Sequence, residues 1–310
     1  MPNWNHIIPE LSIFLFLILL PISSYSQGGI WNELENLDKN PKTEKQKVYE
    51  TFFGTRVING HSIETPLKKT LQFIIAHRFG RLNSGFYQLF GIDQASVRFG
   101  LEYGILDRLC AGFGRSTFRG TWDGFIKCRI LEQSSGKHAM PFSLTSLIGM
   151  AIDGRRKLFT DGRAEYFSNR LSYYYQILAA RKFTRWFSVQ IMPSLVHQNI
   201  VKTSEDKNLL FIMGGATRFR ITSSVALMAE YHHRVADNPD APWTNPLALG
   251  VEINTGGHVF QIHLTNAQAM FESGFLRLTS GRIRSGDIHL GFNITRNFGF
   301  FSRKSSKRRI

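Results

Sequence analysis

PLALGVEINTGGHVFQIHLTN, residues 246–266, decides the fold. Gly256 and Gly257 stand at its centre, and two glycines supply the φ > 0 pair of a tight hairpin turn. Closing a hairpin there sets Ile253 against Phe260, Val251 against Ile262 and Leu249 against Leu264. One face is then continuously apolar. The opposite face carries Glu252, Asn254, Gln261 and His263. A soluble sandwich buries such an apolar face and leaves the polar one in bulk water. A transmembrane barrel turns the apolar face to lipid and the polar face to its lumen.

The same unit, about ten alternating residues and then a turn, repeats from about Lys68 to Phe300. It ends at residues 287–300 (DIHLGFNITRNFGF), on an aromatic. Twelve strands are read: 70–80, 94–104, 108–117, 121–131, 141–152, 169–181, 186–197, 208–219, 224–234, 246–255, 258–266 and 287–299. The expected fold is all-β, a transmembrane antiparallel β-barrel of about twelve strands. Barrels keep one set of connections short and the other long. Most connections obey, with long ones at 81–93, 153–168, 198–207, 235–245 and 267–286. Two do not: 118–120 is short where a long loop belongs, and 132–140 is long where a turn belongs. A missed or merged strand would do that, so ten and fourteen strands stay open.

The chain has 310 residues, 43% of them hydrophobic, with 26 Phe and 27 Gly, a composition that suits girdled, closely packed strands. Residues 11–22 (LSIFLFLILLPI) are too short an apolar run for a spanning helix, and small residues follow. Residues 1–26 are read as a signal peptide, although the stretch before the run lacks Lys and Arg. Residues 27–67 are expected to be a periplasmic N-terminal segment or plug, 68–300 the barrel, and 301–310 a basic tail. An exported chain with barrel periodicity points to the outer membrane of a Gram-negative bacterium. Net charge is +15. Export argues against nucleic acid as the partner. Outer-membrane lipid, lipopolysaccharide phosphates or an anionic solute fit better. No partner protein is indicated.

Cys110 and Cys128 lie on neighbouring strands, and the compartment permits a disulfide. Alternation sends Cys110 to the lumen and Cys128 outward, so two free thiols are expected; a one-residue slip would oppose them. No metal-ligand spacing occurs, and no cofactor is implied.

Alternation also lists the lumen-facing candidates. They are Arg98, Glu102, Asp123, Lys127, Arg129, Glu230, His232, Arg234, Glu252, His263 and His289. Gly112, Gly114 and Ser116 share the inner face of the third strand and leave space there. Such residues either form a paired structural network or line a polar pore or pocket with a basic bias. An outer-membrane lipid hydrolase needs a nucleophile beside a base. Residues 230–233 (EYHH) offer bases, but spacing specifies no serine. Adjacent His232 and His233 face opposite sides and do not chelate one ion. The expected function is a pore or binding barrel for a small, anionic solute, not an enzyme. The alternatives are a structural or docking barrel for a partner protein and, further off, a lipid-active enzyme.

Three motifs together carry a resemblance. They are residues 104–116 (GILDRLCAGFGRS) with 122–127 (WDGFIK), residues 260–270 (FQIHLTNAQAM), and residues 55–66 (TRVINGHSIETP). With them the chain resembles, over about 50–300, an uncharacterised outer-membrane β-barrel family known only as a domain of unknown function. The resemblance implies the barrel and its address. It brings no catalytic residues.

Overall fold

The structure, a computed structural model, describes residues 45–159, 164–201, 206–235 and 242–299. The expected signal peptide, the basic tail and Phe300 lie outside those residues. Twelve strands form the barrel. They are β1 (Thr70–Arg81), β2 (Ala95–Leu106), β3 (Leu109–Ser116), β4 (Trp122–Leu131), β5 (Ser143–Ile152) and β6 (Leu171–Lys182), then β7 (Phe187–Gln198), β8 (Leu209–Arg220), β9 (Val225–Val235), β10 (Leu247–Asn254), β11 (His258–Thr265) and β12 (His289–Gly299). Each pairs antiparallel with its chain neighbours, and β12 closes on β1. Closure removes the sheet edges, so every strand finds partners on both sides. No described helix is long and apolar enough to cross a membrane.

The decisive hairpin has the register read from its side chains: Ile253 faces Phe260, Val251 faces Ile262 and Leu249 faces Leu264. Its turn differs. Only Gly256 has positive φ, at 82°, and the connection is three residues, 255–257, closed by Thr255 N–H on the His258 carbonyl. The expected two-glycine turn is therefore replaced by one glycine in the left-handed region.

The outward positions are large and bare. Phe99, Phe113, Ile126, Ile148, Leu249 and Ile262 are all more than half exposed in the isolated chain, far beyond what a soluble monomer presents as one band. Inward positions are buried and mostly polar. Cys110 is buried on the inner face, Cys128 is exposed on the outer one, and both are free thiols.

The two irregular connections have separate causes, and among the described residues no strand is missing at either. The β3–β4 connection stays short because Arg119 takes positive φ (53°) beside Gly120, reversing the chain at once. The β4–β5 connection is long because it pairs with the incoming N-terminal segment: Ser134–Ser135 bridge Gln46–Lys47, and Val48 N–H donates to the Gln133 carbonyl at 2.9 Å. Short connections otherwise cluster at the end that carries the start of β1 and the close of β12, which is the periplasmic end by the barrel rule.

Candidate functional site

The lumen is filled from both ends. From the periplasmic end, residues 51–66 enter as a hairpin and run back out to β1. Val57 N–H donates to the Gly60 carbonyl at 2.8 Å, and Arg56 bridges His61. Nearly every residue from Thr51 to Ile63 is buried. A buried turn must find partners for its backbone groups, and the wall provides them. Glu230 accepts the N–H groups of Ile58, Asn59 and Gly60, each at 3.0 Å, and its carboxylate lies 2.7 Å from His232 Nε2. Gln261 donates to the carbonyls of Arg56 and Val57, Asn293 to Ile58, and Gln190 to His61. Lys127 Nζ sits 3.3 Å from the Ser62 carbonyl.

From the other end, the β11–β12 loop folds inward with α1 (Glu272–Leu278), whose first six residues are buried. Arginines on the wall hold its carbonyls. Arg78 donates to Ala267 and Ala269, and Arg234 to Leu276 and Arg277. The two intrusions meet at Glu272. It pairs with Arg56 of the hairpin and lies 3.3 Å from His61 Nε2. Arg78 also donates to the Asn59 side chain, so one guanidinium touches both.

The lumen-facing candidates sit as follows. Arg98 forms a bidentate pair with Asp123, its Nε 2.9 Å from Oδ1. Glu102 is buried 3.8 Å from Arg56. Arg129 is half-buried at the periplasmic mouth, 2.9 Å from Glu64. Glu252 accepts from Gln261 and lies 3.6 Å from Arg218. His263 is buried with no hydrogen bond to either ring nitrogen, and His289 Nδ1 lies 2.8 Å from the Phe79 carbonyl. The space expected at Gly112 and Gly114 is taken. The Phe125 ring lies against the first and the Arg98 guanidinium against the second, closely enough that a Cβ at either position would collide. Tyr231 and His233 turn away from Glu230 and His232 to meet the Asn245 amide, and among the described residues no serine hydrogen-bonds that pair. Among the described residues no group of His, Cys, Asp and Glu could hold a metal ion.

Alternation alone would have found Arg78 and Arg218, both at inward positions. Arg56, Asn59, His61 and Glu272 follow no strand period, so alternation does not find them.

A vestibule of about 230 Å³ lies open at the long-loop end. Six basic side chains line it, Arg119, Arg155, Arg170, Lys207, Arg234 and Arg277, against Asp153 and Asp206. Trp243, Phe159 and Leu158 add apolar wall, and Phe271, Ser273 and Leu278 form its floor. Burial, with Arg155 close by, pulls the Arg119 guanidinium below its ordinary pKa, against the pull of Asp153. Phe159 N–H, Leu158 N–H and Arg170 hold the nearby Glu165 carboxyl below the usual range despite its desolvation. Of the lumen-facing candidates only Arg234 reaches this cavity.

Comparison with known proteins agrees with the architecture. The family model described as Membrane bound beta barrel domain (DUF5777) matches residues 52–298, and the chain belongs to that family. The match takes in the hairpin as well as the barrel. It sets the protein in the outer membrane, where a bacterial barrel can close through lipid. No curated protein matches. Among solved structures, the NanC porin is 10% identical with a TM-score of 0.45, over 74% of this chain and 100% of that one. The KdgM porin is 6% identical with a TM-score of 0.43, over 75% and 99%. An outer membrane channel of Pseudomonas putida F1 is 13% identical with a TM-score of 0.42, over 76% and 98%. Likeness this distant says nothing about cargo.

Proposed function

We propose that this outer-membrane barrel binds a small anionic solute from outside, in its vestibule, and offers that solute no open aqueous path. One observation carries the reading. A cavity of about 230 Å³ opens between the long loops with six basic side chains against two acidic ones, above a lumen occupied by residues 51–66 and α1. Cations crowded in a partly buried cleft raise the local concentration of anions. The apolar wall suits a solute with a hydrocarbon or sugar body. No catalytic step enters this reading.

The test is fluorescence of Trp243, which lines the cavity, in folded, detergent-purified protein. Inorganic phosphate and glucuronate should change the emission saturably, and glucose should not. Arg155→Gln with Arg119→Gln should weaken that response at least tenfold. No saturable response to either anion from folded protein would defeat the reading. In planar bilayers the same protein should be silent, and reproducible open steps would defeat the closed-lumen half of it.

A second reading, a docking barrel for a partner protein, is favoured by the β1–β2 loop. There Phe86 and Tyr87 are 77% and 94% exposed, while Leu89 and Phe90 are held at positive φ. Phe86→Ser with Tyr87→Ser should leave anion binding intact under the first reading. Loss of anion binding in that variant would contradict it.

A further inference from the structure

We propose that the periplasmic edge of β6, β7 and β8 is a headgroup site for anionic phospholipids of the inner leaflet. Arg181 points outward at the end of β6, its guanidinium 5.0 Å from the centre of the Phe183 ring. Arg185, in the following turn, lies 4.4 Å over Trp186. Phe183 stacks on Phe187 at 6.0 Å, and Phe187 faces Phe219 across the β7–β8 ladder. Phe183, Trp186 and Phe219 are 50%, 43% and 53% exposed, so the rings form one bare surface continuous with the lipid-facing band.

The two arginines lack acidic partners, unlike several cations of the outer rim. At the outer rim Arg155 pairs with Asp153 at 2.7 Å, Arg170 with Glu165 at 2.8 Å and Arg81 with Asp287 at 3.2 Å. Among the described residues no carboxylate pairs with Arg181 or Arg185. The acid that reaches toward this edge, Glu50, pairs with Arg220 at 3.5 Å. Two uncompensated guanidiniums, each laid on a ring, stand where the apolar layer gives way to headgroups. Amphipathic rings favour that depth, and guanidinium forks match phosphate oxygens. The occupant is therefore a lipid phosphate with its acyl chains over Phe183, Phe187 and Phe219. A free anion would use the charges and leave the rings bare.

The experiment places the full-length folded protein in vesicles of mixed phosphatidylcholine and phosphatidylglycerol, extracts it gently, and reads retained lipid by native mass spectrometry. A basic residue at the membrane surface favours anionic lipid about fivefold, so two should give roughly thirty-fold enrichment of phosphatidylglycerol at low salt. The enrichment should fall as salt rises. Arg181→Gln with Arg185→Gln should abolish it, whereas Arg81→Gln at the outer rim should leave it unchanged. If the glutamine pair fails to fold, as judged by loss of heat-modifiable migration, Arg181→Lys with Arg185→Lys should still keep the enrichment. Equal retention of the two lipids by the wild type would overturn the proposal. So would enrichment that survives the glutamine pair, or that inorganic phosphate removes as readily as salt.

Discussion

Hairpin 51–66 and the α1 loop occupy one lumen, and the wall holds the hairpin's tip and the α1 loop by opposite chemistry. The hairpin tip offers N–H groups, and a carboxylate, Glu230, takes three of them. The α1 loop offers carbonyls, and two arginines, Arg78 and Arg234, take four of those. Each intrusion leaves irregular backbone inside a barrel, where water cannot be relied on to satisfy it. At the hairpin tip and along the α1 loop the charged wall residues are thus matched in sign to the backbone groups they meet, while Lys127 and Arg218 take carbonyls nearer the hairpin's base. A polar lumen is therefore no sign by itself of an open path. Here it is the complement of the two segments that fill it.

The contrast can be broken at either side, and the largest effect is expected at the tip. Glu230→Ala strands three buried N–H groups and should destabilise the barrel by about 3–5 kcal/mol. The temperature at which the folded gel band converts should drop accordingly, and an unchanged temperature would mean the tip is not anchored there. Glu272→Gln comes next. It leaves Arg56 without its closest carboxylate and should cost about 3 kcal/mol. If the two intrusions were independent, it would loosen only α1; if they are riveted, protease added from the periplasmic side should also reach residues 51–66.

Arg234→Met should cost about 2 kcal/mol by freeing two carbonyls of α1. It should raise cleavage in the outer loop alone, and equal cleavage at the hairpin would sink the division of roles. The smallest effect belongs to the rim. The Arg282 N–H and the Asn83 amide hold the Asp287 carboxyl below its ordinary pKa. A depressed carboxyl stabilises the fold above its unfolded value of about 4 and loses that contribution as pH falls through the lower folded value. Asp287→Asn should therefore flatten a slight loss of outer-loop order below about pH 4, read by hydrogen exchange in residues 282–288. A wild type insensitive to pH there would remove this prediction.

Much of the molecule was legible from the chain. Period-two alternation carried the strands, their faces and the register at Ile253 and Phe260, because each rests on residues close in sequence. The lumenal assignments of Glu230, His232 and Arg98 came from the same alternation. What the alternation could not carry is pairing across the lumen. Arg56 meets Glu272 over 216 positions, and neither lies on a strand. The long turn at 132–140 looked like a missing strand because its partner, Gln46–Lys47, lies far upstream. The space inferred at Gly112 and Gly114 was real in the backbone, but Phe125 and Arg98 occupy it. The vestibule escaped for a further reason: four of its six cations, Arg119, Arg155, Arg170 and Lys207, sit on connections between strands, where no period sorts inside from outside.

The hairpin runs directly into β1, and β1 is the strand on which β12 closes. Only residues 67–69 separate the buried segment from the first strand, so its effective concentration inside the lumen is set by a very short tether. The seam between first and last strands zips beside a segment already attached to one of its edges. Filling and closure thus become one topological event. Emptying the lumen means withdrawing a loop held at both ends, one end fixed in the wall through β1 and the other paired through Gln46–Lys47 to the β4–β5 connection.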